Sequence, residues 1–584
     1  MTATRGLTKC YTFLLAIAIC LAGRQAAAQT LTTWTNVVPG STVTGSWSTA
    51  ANWDAGVPNA NTGNLTSTVG SYVVNDDSPA NAFRVLVLSN SASQTATLNI
   101  NAAGFTVTSN LVLGTGGVIN VNASGAMLVS NLTGNVAGTL NINSGGQVMW
   151  ANSSTRPNFG TRVTVGTGGL FVLLNDVYNL NNGGSVLVAA GGIWTNAGSL
   201  ATGQGTLGTL TNRGTMIFNN TLAGLTIGNE GPGVMSMESG LIYQGKANRS
   251  VAIGSVSAGN NATGRVYFTG GIVTNLGTLS VGLVSYSAGR SCSGELQIGG
   301  GVWNTGPSNV LIGGYAPSWT TGAPTNNYIS VQGVLTQTAG VFRAQGSVYV
   351  ANGPSKGTLT VQGGSFEASN VTSSAALIVG AMAGTLVTNA GLGTFTLGGG
   401  TATVDRLVAT NGPLYSVIAF NGGTLASKST AIANGSTFKI GDGTNAATWL
   451  PGGGAHTLAD GLTVSTNATL SFSNSTGTLT TANLTLQNGS TSVFSVASST
   501  AFGRIVVASN TVLGGTLNLS FTYAPTIGTT YQLFTWGAGT KTGAFAARTV
   551  SGLANNEVVD YSAFDANGTI TIAKLRGATT FLLR

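Results

Sequence analysis

Hydrophobic and polar residues alternate along most of this chain, and glycine marks where the alternation stops. Six segments share one register: Gly233 to Gly240, Gly264 to Gly271, Gly294 to Gly301, Gly333 to Gly340, Gly357 to Gly364 and Gly393 to Gly400. Two residues after the first glycine stand Met235, Val266, Leu296, Leu335, Leu359 and Phe395. Four residues after it stand Met237, Phe268, Ile298, Gln337, Val361 and Leu397. Two past the second glycine stand Ile242, Val273, Trp303, Phe342, Phe366 and Ala402. Of these positions only Gln337 is polar. Alternate residues of a strand point to one face. Each segment therefore predicts two short strands with one apolar side, joined by a tight glycine turn.

A second landmark alternates with the first. Short apolar strands end in a small residue at Gly228, Gly254, Gly282, Gly313, Ala351 and Gly380. Fixed anchors at variable intervals predict a regular stacked coil that carries loops of different length. The longest interval holds Tyr315 to Asn327, rich in Pro, Gly, Thr and Asn, which reads as a projecting loop. In register, Leu296 stacks near Val266 and Trp303 near Val273, with coils about 4.8 Å apart. One such repeat is unstable alone, and many together are stable.

The same spacing recurs earlier, where Gly138-Thr139-Leu140-Asn141-Ile142 leads to Gly145-Gly146. We expect an all-β parallel β-helix body over 81–453. Segment 29–80, with Trp34, Trp47 and Trp53, is expected to cap one end. Segment 454–575 loses the glycine frame and reads as a β-rich capping module, followed by a short tail, 576–584. Exposed solenoid ends need such covers.

Composition agrees with short strands and turns. Gly makes up 87 of 584 residues and charged residues only 6%, while 42% are hydrophobic. That apolar share argues against disorder. The N-terminus reads as a secretory signal over 1–28: Arg5 and Lys9, an apolar stretch from Tyr11 to Ala22, and Ala26-Ala27-Ala28 before Gln29. Export is the expected destination. No later segment reads as a transmembrane helix. Cleavage would remove Cys10 and Cys20 and leave Cys292 alone, so no intrachain disulfide is expected. The Lys and Arg residues are scattered, which argues against a nucleic-acid partner despite a pI near 9.5.

Little in the chain suits catalysis. The one histidine, His456, is followed four residues later by Asp460, but no nucleophile motif accompanies them. Asp76-Asp77 belongs to no calcium loop, and one His with one mature Cys cannot build a zinc cage. Gly353-Pro354-Ser355-Lys356-Gly357 lacks the spacing that cradles phosphate. We expect neither metal nor cofactor. Glycosidic chemistry needs two converging carboxylates, and Glu238, Glu295 and Glu367 fall in different columns of the repeat. Only Asp405, Arg406 and Glu367 gathered in one groove would favour an enzyme. Arg265 and Glu295 each follow the opening glycine of consecutive repeats and should form a surface ion pair. The column Trp303, Phe342, Phe366 reads as core. Tyr315 and Trp319 in the long loop are the candidate stacking platforms for a glycan.

Several motifs also occur in a familiar order. Ser46-Trp47-Ser48-Thr49-Ala50-Ala51-Asn52-Trp53-Asp54-Ala55-Gly56-Val57-Pro58 resembles the opening of many exported bacterial repeat proteins. The body resembles autotransporter-associated β-strand repeats. Leu513-Gly514-Gly515-Thr516-Leu517, Tyr531-Gln532-Leu533-Phe534 and Gly568-Thr569-Ile570-Thr571-Ile572 are similar to their terminal module. The resemblance implies a right-handed parallel β-helix, exported and surface-associated. Nothing after Ala573 has the length of the membrane β-barrel that ends a classical autotransporter. Three functions follow as expectations. The first is a structural or adhesive surface protein without catalysis, partnered by surface glycans or extracellular matrix. The second is a glycan-binding protein, and the third a polysaccharide-degrading β-helix enzyme.

Overall fold

The computed structural model describes residues 31–575 apart from short stretches, the longest of which are 131–136, 152–157, 220–223, 257–260, 285–290, 316–330 and 382–390. Parallel strands stack coil on coil, giving an all-β parallel β-helix. One side is a sheet of 15 parallel strands running from Thr42–Ser46 to Ser416–Phe420. A five-stranded sheet, from Phe438–Ile440 to Lys541–Gly543, follows it in the later coils. The remaining sides belong to one 34-stranded sheet. They merge because some strands run around the corner: Thr401–Ala409 pairs with both Ser365–Ala368 and Ala376–Ala381.

The glycine frame is the register of the coil. Gly233, Gly264, Gly294, Gly333, Gly357 and Gly393 are successive partners in adjacent strands. Behind them Met235, Val266, Leu296, Leu335, Leu359 and Phe395 form one buried inward column. Burying a side chain of this size stabilises by about 1.5–3 kcal/mol, and the stack repeats the gain in each coil. Gln337 is the polar member of the neighbouring column and is also fully buried. Its Nε2 donates to Gly340 O at 3.1 Å and Ser365 O at 2.9 Å. Corner carbonyls thus satisfy the amide nitrogen, while Oε1 stays buried without a partner among the described residues.

Two glycine columns lie against each other at the sharpest corner. Gly282 has φ +70, and a Cβ there would stand 1.9 Å from Gln332 O of the next coil. Gly294, which opens the frame, would put a Cβ 2.2 Å from Gly282 N. The first position requires a left-handed residue and the second a bare one. Ala351 replaces glycine in the first column and keeps a positive φ of 61°.

Parallel stacking runs through both segments assigned to the ends. Among the described residues it begins where Leu31–Thr33 pairs with Thr62–Ser67, and it continues to Ala547–Ser551. The reason is local. These coils turn without the paired glycines, so the frame fades while the backbone ladder persists. The first coil is plugged by aromatic rings. Trp47 packs on Trp53 with centroids 4.8 Å apart and on Phe83 at 4.7 Å. Trp53 Nε1 donates to Trp47 O at 3.0 Å, and Asn52 Nδ2 to Ser46 O at 3.0 Å. The Ser46–Pro58 motif is therefore a folded-back lid on the core. At the other end Thr530–Gln532, Thr569–Lys574 and Glu557–Asp560 form a three-stranded antiparallel sheet. Phe564 is buried beside it against Phe534, Trp536 and Phe545. Cys292 is buried and unpaired, and burial pushes its thiol up to about 12.

Candidate functional site

Outward residues of stacked strands form columns too, and here the columns are mostly uncharged. Asn75, Asn99, Asn120 and Asn141 are successive partners in four coils. The last three each donate Nδ2 to the Oδ1 of the preceding coil, at 2.8, 2.9 and 2.9 Å. Two residues further along, Asn101, Asn122 and Asn143 repeat the pattern at 2.6, 2.7 and 2.7 Å, and this second ladder ends on Asp77. An Asn amide carries two N–H groups. The ladder uses one per coil, and the second is left for solvent or a ligand.

A hydroxyl column occupies a different sheet. Thr401, Thr424, Thr448, Thr469, Thr491 and Thr516 are partners in six consecutive strands. All six are half-buried and face outward. They span roughly 24 Å at the spacing of strands. Two positions further along each strand stand Thr403, Ala426, Leu450, Ser471, Val493 and Asn518, which carry no charge either. The arrangement offers many weak hydrogen-bonding groups on a flat face and no reactive group.

Three arginine–glutamate pairs link adjacent coils among the described residues. Arg265 and Glu295 face each other in adjacent strands, with Nε 3.4 Å from Oε2. Arg343 and Glu367 do the same at 3.0 Å, and Arg213 meets Glu238 at 2.7 Å. Exposed pairs of this kind are screened by water and add little to stability.

The residues weighed for catalysis do not converge. Asp405 is fully buried at the corner of Thr401–Ala409, where it accepts from Asn370 N at 2.8 Å and pairs with Lys428 Nζ at 2.7 Å. Arg406 is exposed, and Glu367 belongs to Arg343. His456 is fully buried. Its Nδ1 lies 3.1 Å from Thr430 Oγ1 and its Nε2 3.2 Å from Gly452 O. The carbonyl fixes the proton on Nε2, so Nδ1 accepts from the threonine. Burial pushes the imidazole pKa down, partly offset by that Gly452 contact. Asp460 accepts instead from Gly435 N at 2.7 Å, so the two do not form a dyad.

Trp303, Phe342 and Phe366 are inward and buried, and the two phenyl rings stack at 5.5 Å. They cannot reach a glycan. Tyr315 ends the strand Val310–Tyr315, opposite Val284. Trp319 and the rest of the long loop lie outside the described residues. No protein-family model matches the chain, and no curated protein matches it. Among the described residues no three His, Cys, Asp or Glu side chains group as metal ligands, and no helix is long and apolar enough to cross a membrane.

The uncharged ladders are the feature that sequence reading passed over. Their signal is an Asn-apolar-Asn triplet at Asn99–Asn101, Asn120–Asn122 and Asn141–Asn143, repeating every 21 residues.

Proposed function

We propose that this protein is an exported structural or adhesive scaffold that meets uncharged polymers, such as surface glycans or extracellular matrix, through its outer faces. The observation that carries the reading is the pair of uncharged columns, asparagine in one region and threonine in another. A regular row of weak donors and acceptors suits a repetitive partner, since many weak contacts add up when they can be made together. The engaged carboxylates support a non-catalytic role. The signal-like N-terminus supports export, and the motif order that resembles autotransporter-associated repeat proteins supports a place at the cell surface.

Fractionation of the producing cell, with N-terminal sequencing, tests the reading. The expected result is a chain beginning at Gln29 in the surface or extracellular fraction, together with loss of surface attachment when the gene is deleted. An uncleaved chain in the cytoplasm, or unchanged attachment without it, would overturn it. A binding array of neutral polysaccharides addresses the glycan component. Signal that falls on Trp319→Ala would move the site to the long loop, and signal that falls on Thr448→Lys would place it on the threonine face.

A further inference from the structure

Asp76 stands where the register asks for an apolar residue. Its inward column continues as Ile100, Val121 and Ile142, and its side chain is fully buried. One carboxyl oxygen accepts from Asn81 Nδ2. The other, Oδ2, has no hydrogen-bond partner among the described residues. At the same level of the preceding coil the chain is Trp47, whose backbone N–H donates to Asn75 O at 2.8 Å. Its indole N–H is also buried without an acceptor. Trp47 is the hub of the aromatic plug that closes this end of the core.

We propose that Asp76 is a proton-controlled latch on the N-terminal plug: the first coils close tightly when its carboxyl is protonated and loosen when it ionises. A neutral carboxyl can sit in an apolar column, whereas a carboxylate with one unbonded oxygen cannot do so without a penalty. Burial holds the proton on up to about 6, against the pull of Asn81 and the Ser78 backbone, and the charge of Asp77 adds to the rise. Asp77 is the charged group acting on it; Trp47, Asn81 and Ile100 carry none.

An opened coil returns the carboxyl to its ordinary value of 3.8. The closed form then binds the proton more tightly. Its advantage is complete below 3.8 and is lost as pH rises through about 6. Between those values the opening constant grows about tenfold per pH unit, on the order of a hundredfold in all.

The test is backbone hydrogen exchange on the full-length chain, comparing the native protein with Asp76→Asn from pH 4 to 8. Taking the ratio of the two at each pH cancels the intrinsic pH dependence of exchange. In Thr62–Ser67 and Ser71–Asp76 the ratio should climb roughly a hundredfold up to about pH 6 and then level off. In Lys356–Val361 of the body it should stay flat. A flat ratio at the N-terminal end, or an equal rise in both regions, would overturn the latch. Should Asp76→Asn not fold, Asp76→Val takes its place, because Val121 already occupies the same column. A carboxyl carbon titration of the native chain gives an independent reading. A midpoint near 6 for Asp76 supports the latch, and one near 4 refutes it.

Discussion

Asn101 donates its Nδ2 hydrogen to Asp77 across 2.6 Å, and this contact sets the direction of a whole column. An ionised carboxylate can only accept. The Asn101 amide must therefore turn its nitrogen toward Asp77 and its oxygen toward Asn122. Asn122 must then donate, and Asn143 after it. The amide dipoles align head to tail, and hydrogen bonds in such a chain polarise one another.

Asp77→Asn removes the constraint on direction and a charge-assisted bond. Thermal unfolding should show a loss of about 1 kcal/mol, below the range of about 1.5–3 kcal/mol for bonds to charged groups because the site is exposed. The side-chain amide resonances of Asn101, Asn122 and Asn143 should shift together. A shift confined to Asn101 would show that the column is not coupled.

Gly282→Ala and Gly56→Ala separate two reasons for glycine. Both positions have positive φ, +70 and +80. Nothing lies within 4 Å of a Cβ at Gly56, whereas at Gly282 it would meet Gln332 O at 1.9 Å. The left-handed conformation alone costs about 1–2 kcal/mol. Denaturant unfolding should give that loss at Gly56 and more than about 4 kcal/mol at Gly282, where overpacking adds to the backbone strain.

These two glycines also show how far the chain could be read from its sequence. The frame around Gly294 was legible because steric need repeats in every coil and leaves the same residue each time. The cap expected over 29–80 rests on its tryptophans and the module expected over 454–575 on the loss of that residue, yet Thr62–Ser67 and Thr516–Phe521 still pair in parallel. Backbone ladders place little demand on side chains, so they leave little trace. Asp405 was legible only as a carboxylate. Its burial under Asn370 and Lys428 depends on a corner where Thr401–Ala409 runs straight through and the preceding coil breaks into two strands. Residue types carry no record of such a change in cross-section.

Arg265 and Glu295 are open to a double-mutant cycle. With their side chains 54% and 32% exposed, the coupling should be below about 1 kcal/mol. It should fall further when salt is raised from about 0.05 to about 0.5 M, since the Debye length shrinks from roughly 14 Å to about 4 Å, close to the separation of the pair. Coupling that ignored salt would point to a packing role for the two stems.

His456 predicts an acid-side weakness opposite in sign to that of Asp76. Its imidazole is neutral in the fold, and burial holds its pKa below the ordinary 6.5. The unfolded chain therefore binds the proton more readily. Stability from this group is complete above 6.5 and is lost as pH falls through the lowered value in the fold. Protonation would also force Nδ1 to donate where it now accepts from Thr430. Exchange in Ala455–Leu458 should accelerate on acidification relative to His456→Gln, while Ser71–Asp76 becomes more protected relative to Asp76→Asn. Opposite trends at the two sites in one sample would exclude a general acid effect. Parallel trends would mean that neither buried group governs its own end of the coil.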